Sequence, residues 1–288
     1  MFAKKRPLVS FEIFPPKKDY PISTIYETIE ALKDLKPDFI SVTYGAGGSS
    51  KNNTIEIASV IKNNYNIEAL AHLTCIGASK VEIQDTIESL KNKNIQNILA
   101  LRGDFPKNID LTEVEKLEYQ YAKDLVTDIR KANSFSIGAA TYPEGHTDSD
   151  NIFSDIRNLK EKVDTGVDFL ITQLFFDNEI FYDFLEKLEK NNITTPVIAG
   201  IMPILNKNQI EHIVQLSGAS LPKKFMRILD KYGDSPAALK EAGTAYATEQ
   251  IIDLLSSKID GIHIYTMNKP DATRRIMENI TQVRKALA

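Results

Sequence analysis

The period of apolar and polar positions switches repeatedly along this chain. Short runs rich in β-branched and aromatic residues read as strands: Val9–Phe14, Phe39–Thr43, Glu68–Thr74, Asn97–Leu101, Phe135–Thr141, Asp168–Leu174, Pro196–Ile201 and Gly261–Tyr265. Between them, apolar residues recur at helical spacing. Ile25, Ile29 and Leu32 share a face within Ser23–Lys36, and Ile83, Ile87 and Leu90 share one after Ser79. Ile152, Ile156, Leu159 and Val163 form a stripe within Asn151–Thr165. Helices are also predicted over Asn53–Lys62, Tyr119–Lys131, Asn178–Asn191 and Ala272–Leu287. A long helical region, Lys207–Ser256, is broken at Gly218, Pro222 and Gly233-Asp234-Ser235-Pro236. Ser23 is placed to cap the first helix, and Ser79 with Glu82 forms a capping box.

Regular strand–helix alternation means parallel strands with helical crossovers. Eight such units in 288 residues predict an α/β protein with a single (β/α)8 TIM barrel, one domain over residues 1–288. An open doubly wound sheet is the rival topology, but GxGxxG does not follow the first strand. No linker, low-complexity segment or longer repeat interrupts the rhythm.

Composition narrows the function. The chain is 42% hydrophobic and 26% charged, as soluble globular proteins are. A net charge of −4 argues against a nucleic-acid surface. No apolar run approaches the ~20 residues of a membrane span. The basic N-terminus has no apolar segment behind it, so a cytoplasmic protein is expected. The one cysteine, Cys75, allows no intramolecular disulfide, and its neighbours Leu73 and Ile76 suit a buried structural thiol better than a nucleophile. The four histidines show no metal-ligand spacing, and neither GxxxxGK[ST] nor GxSxG is present.

In such a barrel, chemistry sits at the C-terminal ends of the strands. Glu12 lies in the first apolar strand. It is either an acid at a strand end facing water, or a carboxyl held among Phe11, Ile13 and Phe14 with a pKa raised by desolvation, suited to donating a proton. Thr43, Tyr44, His72, Thr74, Arg102, Gly103, Asp104, Tyr142, His146, Gln173 and Tyr265 fall on the same rim. Singly, each has a plain reading: His72 as a hydrogen-bonded structural histidine, Arg102 and Asp104 as a local ion pair, the Gly-rich run from Tyr44 to Ser50 as a loop. Gln173 needs several partners in its apolar run. Asp155, Asn158 and Lys162 make a polar stripe, either a solvated flank or a ledge for a sugar-phosphate chain.

The ordered motifs Phe11-Glu12-Ile13-Phe14-Pro15-Pro16, Ser41-Val42-Thr43-Tyr44-Gly45, His72-Leu73-Thr74-Cys75, Leu101-Arg102-Gly103-Asp104, Tyr142-Pro143-Glu144 with His146, and Ile171-Thr172-Gln173-Leu174-Phe175-Phe176-Asp177 resemble the bacterial-type 5,10-methylenetetrahydrofolate reductase family, from residue 8 to about residue 285. The resemblance implies an FAD-dependent, homo-oligomeric enzyme. NADH or NADPH reduces the flavin and leaves, and 5,10-methylenetetrahydrofolate is then reduced to 5-methyltetrahydrofolate, which feeds methionine synthesis.

It also implies residue roles. Glu12 is the general acid that protonates N10 and opens the folate ring to an N5 iminium. Asp104 lies near flavin and pterin, tuning the one and binding the other. FAD contacts are Thr43, Tyr44, Ala46, His72, Arg102, Gly103, Asp104, Tyr121, Ala122, Tyr142, His146, Asp155, Asn158 and Lys162. Gln173, Gln209 and Lys269 join Asp104 as substrate contacts. Lys269 stands where relatives carry Arg, so a bidentate clamp becomes a point charge. Glu161 stands where an Arg often serves the FAD phosphates, Ile213 replaces an aromatic over the substrate, and the connection Phe105–Glu118 is long. A catalytically silent folate- or flavin-binding barrel and a phosphate-binding aldolase or isomerase barrel are the other classes. Glu12, Asp104 and Gln173 favour the reductase, and the lack of a strand-end lysine disfavours an aldolase.

Overall fold

Eight strands pair in chain order, each parallel to the next, and the last pairs with the first. This closed ring is the (β/α)8 barrel and excludes the open sheet. The structure, a computed structural model, describes residues 2, 6–16, 21–44, 51–105 and 117–287. The elements run β1 (Leu8–Ile13), α1 (Ser23–Lys33), β2 (Phe39–Val42), α2 (Lys51–Asn63), β3 (Glu68–Thr74), α3 (Lys80–Asn92), β4 (Asn97–Leu101), α4 (Ala122–Lys131), β5 (Ser136–Thr141) and α5 (Ile152–Asp164). There follow β6 (Phe169–Thr172), α6 (Asn178–Lys190), β7 (Val197–Ile201), α7 (Lys207–Ser217), α8 (Lys223–Tyr232), α9 (Pro236–Ser256), β8 (Gly261–Tyr265), α10 (Pro270–Asn279) and α11 (Thr281–Ala286).

Strand alternation sorts side chains into two cores. Val9, Phe11 and Ile13 point outward and pack with Ile25, Ile29 and Leu32 of α1 in the large layer between sheet and helices. Leu8, Phe39, Leu70, Leu99, Phe169 and Ile198 meet in the lumen near the strands' N-terminal ends. Further along the same inward rows come polar residues: Ser10 and Glu12, Ser41, His72, His263 and Tyr265. Gly200 makes room for one of them, since a Cβ there would lie 2.8 Å from the Tyr265 ring and 2.4 Å from the Thr172 carbonyl oxygen.

Local chemistry explains where the helices depart from the sequence pattern. α1 stops at Lys33 rather than Lys36, because Lys36 takes a left-handed φ of 53°. Ser23 is its first helical residue and not its cap, a position held by Ile22 without a side-chain bond. α4 starts at Ala122, three residues later than expected. The Asp124 carboxylate accepts from the backbone N–H groups of Gln120 (3.1 Å) and Tyr121 (2.9 Å), which holds Tyr121 extended ahead of the helix. The Ser79–Glu82 capping box forms as expected. The long helical region divides at its predicted breaks, with left-handed Gly218 ending α7 and Pro236 opening α9. The C-terminal helix divides once more, at Ile280. Among the described residues no helix is long and apolar enough to cross a membrane.

Gly243 sets propensity against packing. Alanine in a helix interior is worth about 1 kcal/mol over glycine. Yet a Cβ here would lie 1.8 Å from the Ile204 carbonyl oxygen, which is backbone and cannot swing away. Overpacking wins, and Gly243→Ala is expected to destabilise by about 2–3 kcal/mol. Urea or thermal unfolding checks this; a stabilised variant would show that the α9 contact with the β7 exit is looser than described.

Candidate functional site

The polar cluster in the lumen around Glu12 draws on four strands, β1, β2, β3 and β8. The pairing of β1 with β8 sets Ser10 beside His263 and Glu12 beside Tyr265, while β1 with β2 sets Glu12 beside Ser41. His263 is fully buried, its Nδ1 is 2.7 Å from Ser10 Oγ, and its ring stacks on Phe39. Its Nε2 lies 3.4 Å from Glu12 Oε2, and the Ser41 hydroxyl donates to the same carboxylate oxygen at 3.3 Å. His72 Nε2 reaches Glu12 Oε2 at 3.4 Å without hydrogen-bond alignment and is a buried, unpartnered nitrogen among the described residues. Burial pushes the His72 imidazole down to about 4, so it is neutral at physiological pH. The backbone at Glu12 is held as well. Thr266 Oγ1 donates to the Glu12 carbonyl at 2.6 Å, and the Asn268 amide brackets Phe14 from both sides.

These neighbours overturn the expected pKa of Glu12. Phe11 and Ile13 face the helices, so the acid's surroundings are polar despite its apolar sequence context. Burial pushes the carboxyl up, but the His263 hydrogen bond, the two imidazoles and Ser41 together outweigh it and hold the group below its ordinary value. The other plain reading, an acid facing water, fails too, since the side chain is only 18% exposed.

A second feature opens beside this cluster. A cavity of about 380 Å³ lies between the C-terminal ends of β4 and β5 and the helices α4 and α5. Of the sequence-predicted residues, Arg102, Tyr121, Ala122, Tyr142, His146, Asp155, Asn158 and Lys162 line it. The stripe on α5 is therefore a cavity wall rather than a solvated flank. Lys162 donates to the Ala140 carbonyl at 2.7 Å, and burial brings its ammonium down to about 8 against the opposing pull of Asp155. Asp155 accepts from Ser149 Oγ at 3.0 Å. His146 packs edge-on against Tyr142, and its Nδ1 accepts from the Asp148 N–H at 3.0 Å. Burial, only partly offset by Asp148, lowers the His146 pKa. The buried Thr141 hydroxyl on the same wall has no partner among the described residues. Tyr265, paired with Glu12 across β1 and β8, donates its hydroxyl to the Thr172 carbonyl at 2.7 Å, and Thr172 pairs with the cavity-lining Thr141, so the two features lie side by side.

The remaining predicted residues are spread around the rim. Thr43 follows β2 and donates its N–H to Ile13. Tyr44 is half-buried against the outer core, its phenol pushed up by burial and by Glu82. Gly103, at φ +84°, passes tightly under Thr74. Asp104 is exposed just beyond it, and Arg102 pairs with Asp148 at 2.7 Å rather than with Asp104. Gln173 lies one residue past the end of β6, its Oε1 accepting from Leu174 N–H; among the described residues its Nε2 donates to none. Gln209 opens α7, its Oε1 accepting from Leu205 N–H. Lys269 is exposed after β8. Ile213 is buried in a satellite core with Leu174 and Phe176. Ala46 and residues 106–116 lie outside the described residues. Cys75 is buried, its thiol pushed up to about 12 by burial. Sequence reasoning missed Ser10, Ser41, His263, Thr141 and Asp148. A period of two along β1, counted back from Glu12, would have pointed to Ser10.

Replacing His263 with a ring of similar size isolates its effect on Glu12. In His263→Phe the burial penalty is opposed by fewer partners, and the Glu12 carboxyl is expected to titrate above the ordinary carboxylate range. Infrared titration of the carboxyl band, assigned with Glu12→Gln, reads this directly; a Glu12 pKa that stays low would remove His263 from the account.

Comparison with known proteins fits this geometry. The methylenetetrahydrofolate reductase family model matches residues 1–281. The 5,10-methylenetetrahydrofolate reductase of Escherichia coli (strain K12) is 34% identical over 94% of this chain and 90% of its own length. Methylenetetrahydrofolate reductase 1 of Schizosaccharomyces pombe is 36% identical over 99% of this chain, which spans about half of that relative, 48%. Among solved structures, an uncharacterised Clostridium thermocellum protein described as binding two copies of 5-methyl-5,6,7,8-tetrahydrofolic acid superposes with a TM-score of 0.63 over 99% of this chain and 97% of its own; at 16% identity this likeness concerns the fold. With its family match over nearly all residues and its bacterial relative matched at almost full length, the chain belongs to the methylenetetrahydrofolate reductase family.

Proposed function

We propose that residues 1–288 form one FAD-binding catalytic domain that reduces 5,10-methylenetetrahydrofolate to 5-methyltetrahydrofolate with NADH or NADPH. The observation that carries this is the adjacency of two features: a partly buried carboxylate ringed by imidazoles and hydroxyls, and a cavity next to it that carries charged and polar side chains. The cavity suits a dinucleotide by its donor set. Arg102 and Lys162 supply charge for phosphates, Asp155 and Asn158 can bond sugar hydroxyls, and Tyr121, 55% exposed, offers a ring face. The Thr141 hydroxyl and His72 nitrogen, unpartnered among the described residues, are buried polar atoms of the kind a ligand satisfies.

FAD would supply the hydride carriage between nicotinamide and folate. The chain's own residues supply position and a proton. Glu12 is the acid within reach of the lumen mouth. Its carboxyl is ionised at neutral pH while water still touches it. A flat pterin closing over the mouth removes that water and pushes the carboxyl up, so that Glu12 takes a proton from solvent as the site closes and passes it to folate N10. Asp104 carries a negative charge on the rim, placed to favour a cationic N5 iminium. Gln173 offers its amide to the pterin edge, Gln209 lies on the rim nearby, and the exposed Lys269 suits the glutamate tail. Glu161, paired with Lys123 at 2.9 Å, adds no positive charge for a phosphate.

Two measurements test the reading. Glu12→Gln is expected to cut folate reduction by about 10²–10⁴-fold while NAD(P)H oxidation by an artificial acceptor continues. Folate reduction at the parent rate would sink the acid assignment, and a protein that cannot be reconstituted to a yellow form with FAD would sink the whole reading. Affinity for FAD should also depend on pH through Lys162. His146 is neutral above pH 7, Tyr142 is shifted upward by burial, and Lys123 is held protonated by Glu161. Among the described lining groups Lys162, at about 8, is thus the one that changes charge near neutrality. A bound phosphate favours its protonated form, so affinity should be flat below about pH 8 and fall by up to about tenfold per unit above it. Fluorescence titration of the FAD-stripped protein across pH 6–10 reads the profile, and no fall above pH 8 would detach Lys162 from the phosphates.

A further inference from the structure

Among the described residues the cavity wall carries three cations, Arg102, Lys123 and Lys162, and three acids, Asp148, Asp155 and Glu161. These six charges cancel, although a dinucleotide brings a doubly negative diphosphate. Lys162 already points its ammonium at a backbone carbonyl, so it is the Arg102 guanidinium that a ligand gains only when an acid stops competing for it. Asp155 is buried and bonded to Ser149, and Glu161 is tied to Lys123 at the outer edge. Asp148 differs from both. Its carboxylate sits on the guanidinium, with Arg102 Nη2 donating to Asp148 Oδ2 at 2.7 Å.

We infer that Asp148 is a displaceable counter-ion: its carboxylate holds Arg102 when no phosphate is present and yields the guanidinium to a phosphate oxygen of the dinucleotide. The inference rests on the FAD reading and adds a residue whose role is to hold the arginine in place. Carboxylate and phosphate oxygens offer a guanidinium the same geometry, so one can replace the other without moving the arginine. Arg102 is built to stay. Its side chain is 24% exposed, its Nε donates to the Gly103 carbonyl, and its charged group lies 5.1 Å from the Phe105 ring. Asp148 is built to leave. Its side chain is 57% exposed and can swing into water. Its backbone need not move, because the Asp148 N–H is anchored on His146 Nδ1 and the Ser149 N–H on the His146 carbonyl. The Arg102 charge holds the Asp148 carboxyl below its ordinary range, so the competing charge is present throughout the neutral range.

The test is a fluorescence titration of FAD-stripped parent and Asp148→Asn with FAD, joined to thermal unfolding of each with and without FAD. Removing an exposed competing charge should tighten FAD binding by about three- to fivefold. The melting temperature without FAD should drop, because Arg102 loses its charged partner, and the melting temperature with saturating FAD should not. Unchanged or weaker binding by the variant overturns the inference, as would be seen if Asp148 itself held the ligand through a sugar hydroxyl. An equal drop in both melting temperatures also overturns it, since that is the mark of a loop anchor. Asp148→Ser, which cannot mimic the carboxylate's reach, should repeat the tightening. If the parent binds no FAD, the FAD reading fails and this inference with it; if the parent binds and neither variant binds more tightly, only the counter-ion role fails.

Discussion

Closure of the barrel by β1 and β8 is the contact on which the site depends. The two strands are about as far apart in the chain as any pair, yet their register sets Ser10 against His263 and Glu12 against Tyr265. The hydrogen bonds of Thr266 and Asn268 to the backbone around Glu12 continue that closure past the ends of the strands. A slip of one residue would turn Glu12 into the apolar layer under the helices and bring Phe11 into the lumen. The barrel thus positions the acid through its backbone ladder, before any side-chain contact is made.

That placement decides the acid's electrostatics. A carboxyl buried among apolar groups would be neutral, while one ringed by imidazole and hydroxyl groups keeps its charge. Glu12 is of the second kind, and its partners come from three other strands. The arrangement is costly to break, because a hydrogen bond to a charged group is worth about 1.5–3 kcal/mol. The cavity next door follows the same principle, with Arg102 paired to Asp148 and Lys123 to Glu161.

Much of the architecture was legible in the sequence. The switch between periods of two and 3.6 located all eight strands, and the glycine and proline breaks divided the long helical region where the chain divides. Element ends were less legible. The start of α4 depends on one aspartate side chain, and the end of α1 on a left-handed residue, neither of which periodicity records. The stripe Asp155, Asn158 and Lys162 could be read as a face of a helix, but whether that face met water or a cavity depended on what packs opposite it.

The sequence by itself determined that the chain alternates strand and helix eight times, and that its unusual polar residues gather at strand ends. Those are consequences of local period and residue type. The tertiary structure decided which side each residue faces and what meets it there. Glu12 shows the difference: its neighbours in sequence, Phe11 and Ile13, point away from it, and its neighbours in space, His263, His72 and Ser41, arrive from other strands. In a strand, adjacent residues lie on opposite faces, so sequence context misstates the environment that sets a pKa, and only the closed barrel supplies it.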